Sequence, residues 1–92
     1  MVNAVVLINV ERGRVNDVAQ RLVALKGVTE VFSVAGRYDL VAILRTAANE
    51  QIADLVTRSI MEIDGITNTE TLLAFRAFSE FDLAAMFSIG LD

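Results

Sequence analysis

The chain repeats one pattern at an offset of 38 residues, and this repeat limits the folds open to it. The segment Lys26-Gly27-Val28-Thr29 aligns with Asp64-Gly65-Ile66-Thr67. In each half, an apolar run precedes a segment with apolar residues at helical spacing, and a glycine then leads into a second apolar run. The repeat therefore predicts the order strand, helix, strand twice over.

Local signals set the expected bounds of these elements. The first helix has apolar residues at helical spacing from Val15 to Leu25, and Gly27 stands where a C′ glycine is expected. Asn49 is positioned to cap the second helix. We expect strands at residues 2–10, 28–35, 39–45 and 66–78, and helices at residues 15–26 and 49–63.

Two such units joined by a central hairpin make one domain of the α+β class. The order predicts a ferredoxin-like βαββαβ sandwich, in which two helices cover one face of a four-stranded antiparallel sheet. We assign residues 1–78 to this domain and residues 79–92 to a C-terminal amphipathic tail. The tail is expected to form a short C-terminal helix that packs on its own domain or on a neighbouring subunit.

The predicted strands are apolar on both faces, which two helices cannot cover. An antiparallel sheet with one face in water alternates apolar and polar residues, but residues 4–8 and 40–44 are apolar throughout. The uncovered face has an area of roughly 400 Å² when it is treated as a flat surface without its side chains. Burying it would contribute up to about 10 kcal/mol gross per subunit. We therefore expect two subunits to associate sheet to sheet.

Composition excludes several classes of site. The chain has no cysteine and no histidine, so we expect no disulfide, no metal site, no cofactor and no thiolate or histidine catalysis. Its net charge is −4, without a basic stripe, so direct binding to nucleic acid is not expected. No apolar run approaches the ~18 residues that span a bilayer, and no signal peptide is recognisable. We expect a cytoplasmic protein without a membrane partner.

The turn between the two middle strands carries the most informative polar residues. Gly36 supplies the turn because glycine reaches positive φ freely. Asp39 opens an almost wholly apolar strand, where a carboxylate needs a partner. A backbone amide, an arginine or the amine of a small ligand could fill that role, and the residues alone leave the choice open. On the face of the sheet that the two helices leave uncovered, which we call the helix-free face, no polar cluster is expected.

The chain as a whole resembles one known family. The resemblance is carried by Gly27-Val28, by the hairpin segment Val34-Ala-Gly36-Arg-Tyr38-Asp39, and by Gly65-Ile-Thr-Asn-Thr-Glu-Thr71 at the start of the last strand. From residue 2 to about residue 75, the chain is similar to the ligand-binding effector domain, or RAM domain, of the Lrp/AsnC feast/famine transcription regulators. It resembles the stand-alone version, in which the DNA-binding helix-turn-helix is missing.

The resemblance implies sheet-paired dimers, rings of dimers, and an amino acid or related effector bound between dimers. On this sequence, Gly36 and its neighbours would offer backbone groups, Asp39 would hold a ligand ammonium, and threonine hydroxyls would bind a ligand carboxylate. Strand periodicity places these threonines on one face. The predicted ligand-binding residues are Gly36, Arg37, Tyr38, Asp39, Thr69 and Thr71.

Most of these residues also have a purely structural interpretation. Asp39 could cap the hairpin backbone or pair with Arg37, and Arg37 could form an ion pair between subunits. Tyr38 could pack at the subunit contact. Threonine has a high β propensity, so Thr69 and Thr71 could be ordinary strand residues.

Three functions fit the sequence. The first is an oligomeric, amino-acid-binding regulatory module without enzymatic activity, which could also join the oligomers of full-length Lrp/AsnC regulators. The second is a dimeric α/β-barrel enzyme of the monooxygenase or isomerase type, which the absence of histidine and tryptophan disfavours. The third is an ACT-like amino-acid-binding domain, for which Gly13 would lie between the first strand and the first helix. We favour the first.

Overall fold

The computed structural model describes residues 1–78, in which strands form along the β-branched and aliphatic runs and helices along the amphipathic segments. The expected C-terminal tail and its helix, residues 79–92, lie outside the described residues. In chain order, the elements are β1 (Val2–Val10), α1 (Val15–Val23), β2 (Val28–Ser33), β3 (Leu40–Thr46), α2 (Asn49–Asp54), a π-helix (Leu55–Ile60) that continues α2, and β4 (Ile66–Leu73).

The four strands form one antiparallel sheet in the order β2-β3-β1-β4. The predicted ferredoxin-like βαββαβ sandwich is therefore confirmed. We call the end of the sheet that carries the β2–β3 turn the hairpin end. Strand β1 ends there, and β4 begins there. The opposite end holds the start of β1 and the finish of β3.

The core lies between the sheet and the helices. Alternate residues of β1 and β3 face the helices and are fully buried, because side chains of a strand point to opposite faces in turn. The helical segments contribute apolar residues at helical spacing to the same layer. The largest fully buried side chains are Ile8, Leu22, Leu40, Leu44, Ile60, Val6 and Val18.

The helix ends differ from the expectation in two places. Helix α1 ends at Val23 instead of residue 26, because the following backbone closes three-residue turns, with the Leu25 amide donating to the Leu22 carbonyl at 3.0 Å. Asn49 does not cap α2, because it is already the first helical residue. The Gln51 side chain instead reaches back, and its Oε1 accepts hydrogen bonds from the amides of Ala47 and Ala48 at 2.8 and 3.1 Å.

The end of the second helix and the length of β4 also depart from the prediction. Residues Leu55–Ile60 adopt a π-helix, and the Thr57 hydroxyl donates to the Ala53 carbonyl at 2.7 Å, a local bond that competes with regular helix pairing. Strand β4 ends at Leu73 instead of residue 78. Its last paired residue, Leu73, lies opposite Ala4, and beyond it the Ala74 amide still donates to the Asn3 carbonyl at 2.9 Å.

The helix-free face is apolar at its centre, as predicted. Val5, Leu7, Val41 and Ile43 occupy it, and no element within residues 1–78 covers it. Phe32 and Leu72, on the flanking strands, remain 47% and 49% exposed. The described chain thus leaves apolar surface on this face that its own two helices cannot bury.

The core assignment predicts the result of a matched pair of substitutions in α1. Leu22→Ala removes a fully buried side chain and should lower the free energy of unfolding by about 2–5 kcal/mol. Val23→Ala alters the adjacent residue, which is 52% exposed, and should change the free energy of unfolding by less than about 0.5 kcal/mol. Urea unfolding at one fixed protein concentration measures both, and equal losses would contradict the assignment.

Candidate functional site

The β2–β3 turn projects from the hairpin end of the sheet. Gly36 has φ +132°, and nothing lies within 4 Å of the position that a Cβ would take. Only the backbone conformation therefore demands glycine here. The turn exposes the backbone of Gly36 and the Arg37 side chain to solvent, so both can reach a ligand or a second chain.

Asp39 ties the end of β1 to the start of β3. Its Oδ2 accepts a hydrogen bond from the Val10 amide at 2.9 Å, beside the register shift between Asn9 and Val10. Its own amide donates to the Ile8 carbonyl at 2.9 Å. The backbone amide is thus one partner of this half-buried carboxylate. The other carboxylate oxygen of Asp39 accepts no hydrogen bond from residues 1–78 and can bind another donor.

Tyr38 reaches across β1 to β4. Its hydroxyl donates to Oε2 of Glu70 at 2.9 Å. This hydrogen bond, together with partial desolvation and the charge of Glu70, raises the pKa of the Tyr38 phenol above its ordinary value, while Arg37 acts in the opposite direction. The bond therefore fixes the ring over the end of the helix-free face.

Two asparagines complete the polar surface at this end. The Asn9 amide nitrogen donates to the Arg37 carbonyl at 2.7 Å, and the Asn68 amide nitrogen donates to Oδ1 of Asn9 at 3.4 Å. Asn9 and Asn68 are opposite each other in the pairing of β1 with β4, and so are Leu7 and Glu70. Because each asparagine is two residues from a member of that second pair, both asparagines lie on the helix-free face with Leu7. We call this group the hairpin-end cluster: Asn9, Tyr38, Asp39, Asn68 and Glu70.

The hairpin-end cluster corrects one expectation. The sequence predicted no polar cluster on the helix-free face, but the strand register brings polar residues from β1 and β4 together with the turn. The missed residues carried a recognisable signal. Asn9 interrupts the apolar run of β1, and Asn68 and Glu70 stand two residues apart in β4, which places them on one face.

Thr69 and Thr71 lie on the other face of the sheet. They pair with Ile8 and Val6, whose side chains face the helices. Thr71 is exposed, whereas Thr69 is half-buried. Thr69 lines a cavity of about 300 Å³ together with Met61, Ile66, Thr67 and Asn68.

One chain therefore brings only part of the predicted site together. Gly36, Arg37, Tyr38 and Asp39 are consecutive in the turn, and the cluster joins Tyr38 and Asp39 to β1 and β4. The two threonines point away from that cluster, across the thickness of the sheet. Within one chain the two groups therefore lie on opposite faces of the sheet.

The cluster offers carboxylate and amide oxygens as acceptors, and amide and phenol groups as neutral donors. Among residues 1–78, no three acidic side chains come close enough to hold a metal ion. The same part of the chain has no helix long and apolar enough to cross a membrane. The arrangement suits a ligand ammonium, which needs a fixed carboxylate and further oxygen acceptors.

Comparisons with known proteins agree on one family. A family model described as the Lrp/AsnC ligand binding domain matches residues 3–83. The chain is 30% identical to the HTH-type transcriptional regulator FL11 of Pyrococcus furiosus over 77 residues, which make up 84% of this chain and 50% of that protein. The chain thus spans about half the length of the curated relatives it matches.

Solved structures give the same result. The protein TTHA0845 from Thermus thermophilus superposes with a TM-score of 0.82 and 44% identity, over 87% of this chain and 100% of that chain. A feast or famine regulatory protein from M. tuberculosis, complexed with L-methionine, superposes with a TM-score of 0.72 and 25% identity. That match covers 87% of this chain and 54% of the other.

The bond between Tyr38 and Glu70 can be tested by titration, because Tyr38 is the only tyrosine and the chain has no tryptophan. We expect its phenolate absorbance to appear above the ordinary tyrosine pKa, since the carboxylate favours the neutral phenol. Glu70→Gln should lower that pKa towards the ordinary value. Glu62→Gln, a matched change at an exposed residue, should leave it unchanged. A wild-type pKa that Glu70→Gln does not lower would contradict the contact.

Proposed function

The chain belongs to the Lrp/AsnC ligand-binding domain family, and we propose that it is a regulatory module that binds an amino acid as an oligomer of identical subunits. The family match over residues 3–83 carries this proposal, and it confirms the resemblance found in the hairpin and in the threonine-rich strand. Relatives such as FL11 are named transcriptional regulators. That favours a regulatory role over an enzyme of the monooxygenase or isomerase type.

The helix-free face is the surface on which the subunits would associate. Its centre is aliphatic, and its exposed members Phe32 and Leu72 come from the two outer strands. A second copy presents the same apolar centre, so pairing two copies sheet to sheet removes both surfaces from water. Polar residues at the hairpin end of the face, such as Asn68 and Glu70, would form part of the rim of this interface.

The ligand site would lie between chains. Asp39 and the turn belong to one side of the sheet, and Thr69 and Thr71 belong to the other. A complete pocket would therefore combine the turn of one subunit with the threonines of another. This agrees with the expectation that the effector lies between dimers.

An amino acid has the charges that such a pocket would recognise. The second carboxylate oxygen of Asp39 would accept a hydrogen bond from the ligand ammonium. The hydroxyls of Thr69 and Thr71 would donate to its carboxylate, and the exposed Arg37 would add a positive charge. Gly36 would let the ligand approach the backbone, because no side chain stands in front of it. The methionine complex of the M. tuberculosis protein supports this ligand class.

Binding between subunits would make the oligomer the regulated species. A ligand that touches two chains stabilises the assembly in which both chains are in place, so its concentration shifts the population of that assembly. Such a module could transmit the signal by joining the oligomers of full-length Lrp/AsnC regulators. The net charge of −4 favours action through protein partners over direct contact with nucleic acid.

A thermal-shift screen of the twenty amino acids, beginning with L-methionine, tests the proposal. At a ligand concentration of about 100 times Kd, binding stabilises the folded state by about 2.7 kcal/mol, which is measurable as a rise in Tm. We expect one or a few amino acids to raise the Tm. No response to any of the twenty would contradict the proposed ligand class.

The variant Asp39→Asn separates ligand binding from folding. Asparagine keeps a side-chain oxygen that can accept the Val10 amide, but it loses the charge that would hold the ammonium. We expect the ligand-induced rise in Tm to disappear while the Tm without ligand changes little. Asp54→Asn, a matched change at an exposed residue of α2, should retain the full response. A response that persists in Asp39→Asn would remove Asp39 from the site.

A further inference from the structure

A second cavity lies at the end of the sheet opposite to the hairpin end. It has a volume of about 610 Å³, within the usual range of small-molecule sites. Its walls come from the turn between α1 and β2, from the finish of β3, and from α2 with the π-helix that continues it. The hairpin-end cluster contributes nothing to it, so this cavity is separate from the proposed amino-acid site.

The cavity is positively charged although the chain is acidic. Lys26, Arg45 and Arg58 line it, and Asp54 is the only carboxylate among its lining residues. Three of the eight Lys and Arg residues of the chain therefore meet in one cavity. The side chains that line the cavity therefore carry an excess of two positive charges, which favours an anionic ligand.

These cations keep donors available for a ligand. Arg45 donates its Nε to Oδ1 of Asn3 at 2.8 Å, which orients the guanidinium without using its terminal nitrogens. Arg58 stands 4.0 Å from Asp54, too far for a hydrogen bond. Among residues 1–78, no carboxylate lies within 4.0 Å of the Lys26 ammonium.

The backbone around the cavity is locally unusual at two places. Leu55, Arg58 and Ser59 line it from the π-helix, a conformation found frequently at functional sites. Gly27 faces them with φ +100°, and a Cβ there would lie 3.0 Å from Cδ2 of Leu55. The α1–β2 turn thus approaches the π-helix closely at Leu55, which is one of the apolar lining residues of the cavity.

We propose that this cavity binds a phosphate monoester of a small organic molecule. A phosphate monoester carries close to two negative charges at neutral pH and three terminal oxygens. Arginine forks bind such oxygens in pairs, and a lysine adds a compact charge. The organic part of the ligand would lie against Leu55 and Ala47.

Isothermal titration calorimetry of the full chain with adenosine 5′-monophosphate tests the proposal. We expect measurable binding that weakens as salt is added, because the site is open to solvent and its charges are screened. Adenosine, which lacks the phosphate, should bind at least about tenfold more weakly. Equal affinity for succinate, a dianion without phosphorus, would overturn the phosphate assignment, and failure of adenosine 5′-monophosphate to bind would overturn the site.

Charge-matched variants locate the binding. Arg58→Gln should weaken binding of adenosine 5′-monophosphate about tenfold or more. It should leave the Tm nearly unchanged, because the Arg58 side chain is 80% exposed.

Asp54→Asn removes the opposing charge and should tighten binding. Arg12→Gln makes the same charge change as Arg58→Gln in an exposed turn at the hairpin end and should have little effect. Equal losses in Arg12→Gln and Arg58→Gln would overturn the proposal, and so would weaker binding in Asp54→Asn.

Discussion

The apolar second face of the sheet is the constraint on which our proposals depend. The two helical segments of the βαββαβ fold pack on one side, where they bury the alternate residues of β1 and β3. The residues between them, such as Leu7 and Ile43, are also aliphatic, and no element of residues 1–78 covers them. Because apolar surface of this kind is stabilised by removal from water, the sequence of the strands favours association with another copy of the chain.

The turn at the hairpin end holds neighbouring strands together and leaves polar groups available for a ligand. Asp39 uses one carboxylate oxygen to bind the Val10 amide, which joins β1 to β3, and keeps the other for a further donor. Tyr38 is held by Glu70, so the turn is anchored across three strands. Thr69 and Thr71 face the opposite side, which makes the proposed pocket dependent on a second subunit. In the proposed assembly, the association that would bury the sheet is also a step towards completing the site.

The amino-acid sequence predicts the fold well because its signals are local. The repeat, the helical spacing and the glycine of the central turn are each contained within a few residues, and all are confirmed by the structure. The features that could not be predicted depend on how strands pair or how a helix ends. The contact between Tyr38 and Glu70 spans 32 residues and exists only because β4 pairs with β1 in one register. The π-helix at Leu55–Ile60 has no clear signal in the sequence. Periodicity grouped Thr69 with Thr71, but only the register shows that they face away from Asp39.

Sedimentation equilibrium of the purified chain at micromolar concentration measures whether copies associate through the helix-free face. The variants Val41→Glu and Val23→Glu are measured under the same conditions. We expect the wild-type chain to sediment as a folded dimer or a larger assembly. Val41→Glu places a charge at the centre of the helix-free face and should shift the population towards single chains. Val23→Glu, at an exposed position of α1, should not. A wild-type chain that sediments as a stable, folded monomer would contradict sheet-to-sheet association and, with it, a ligand pocket shared between subunits.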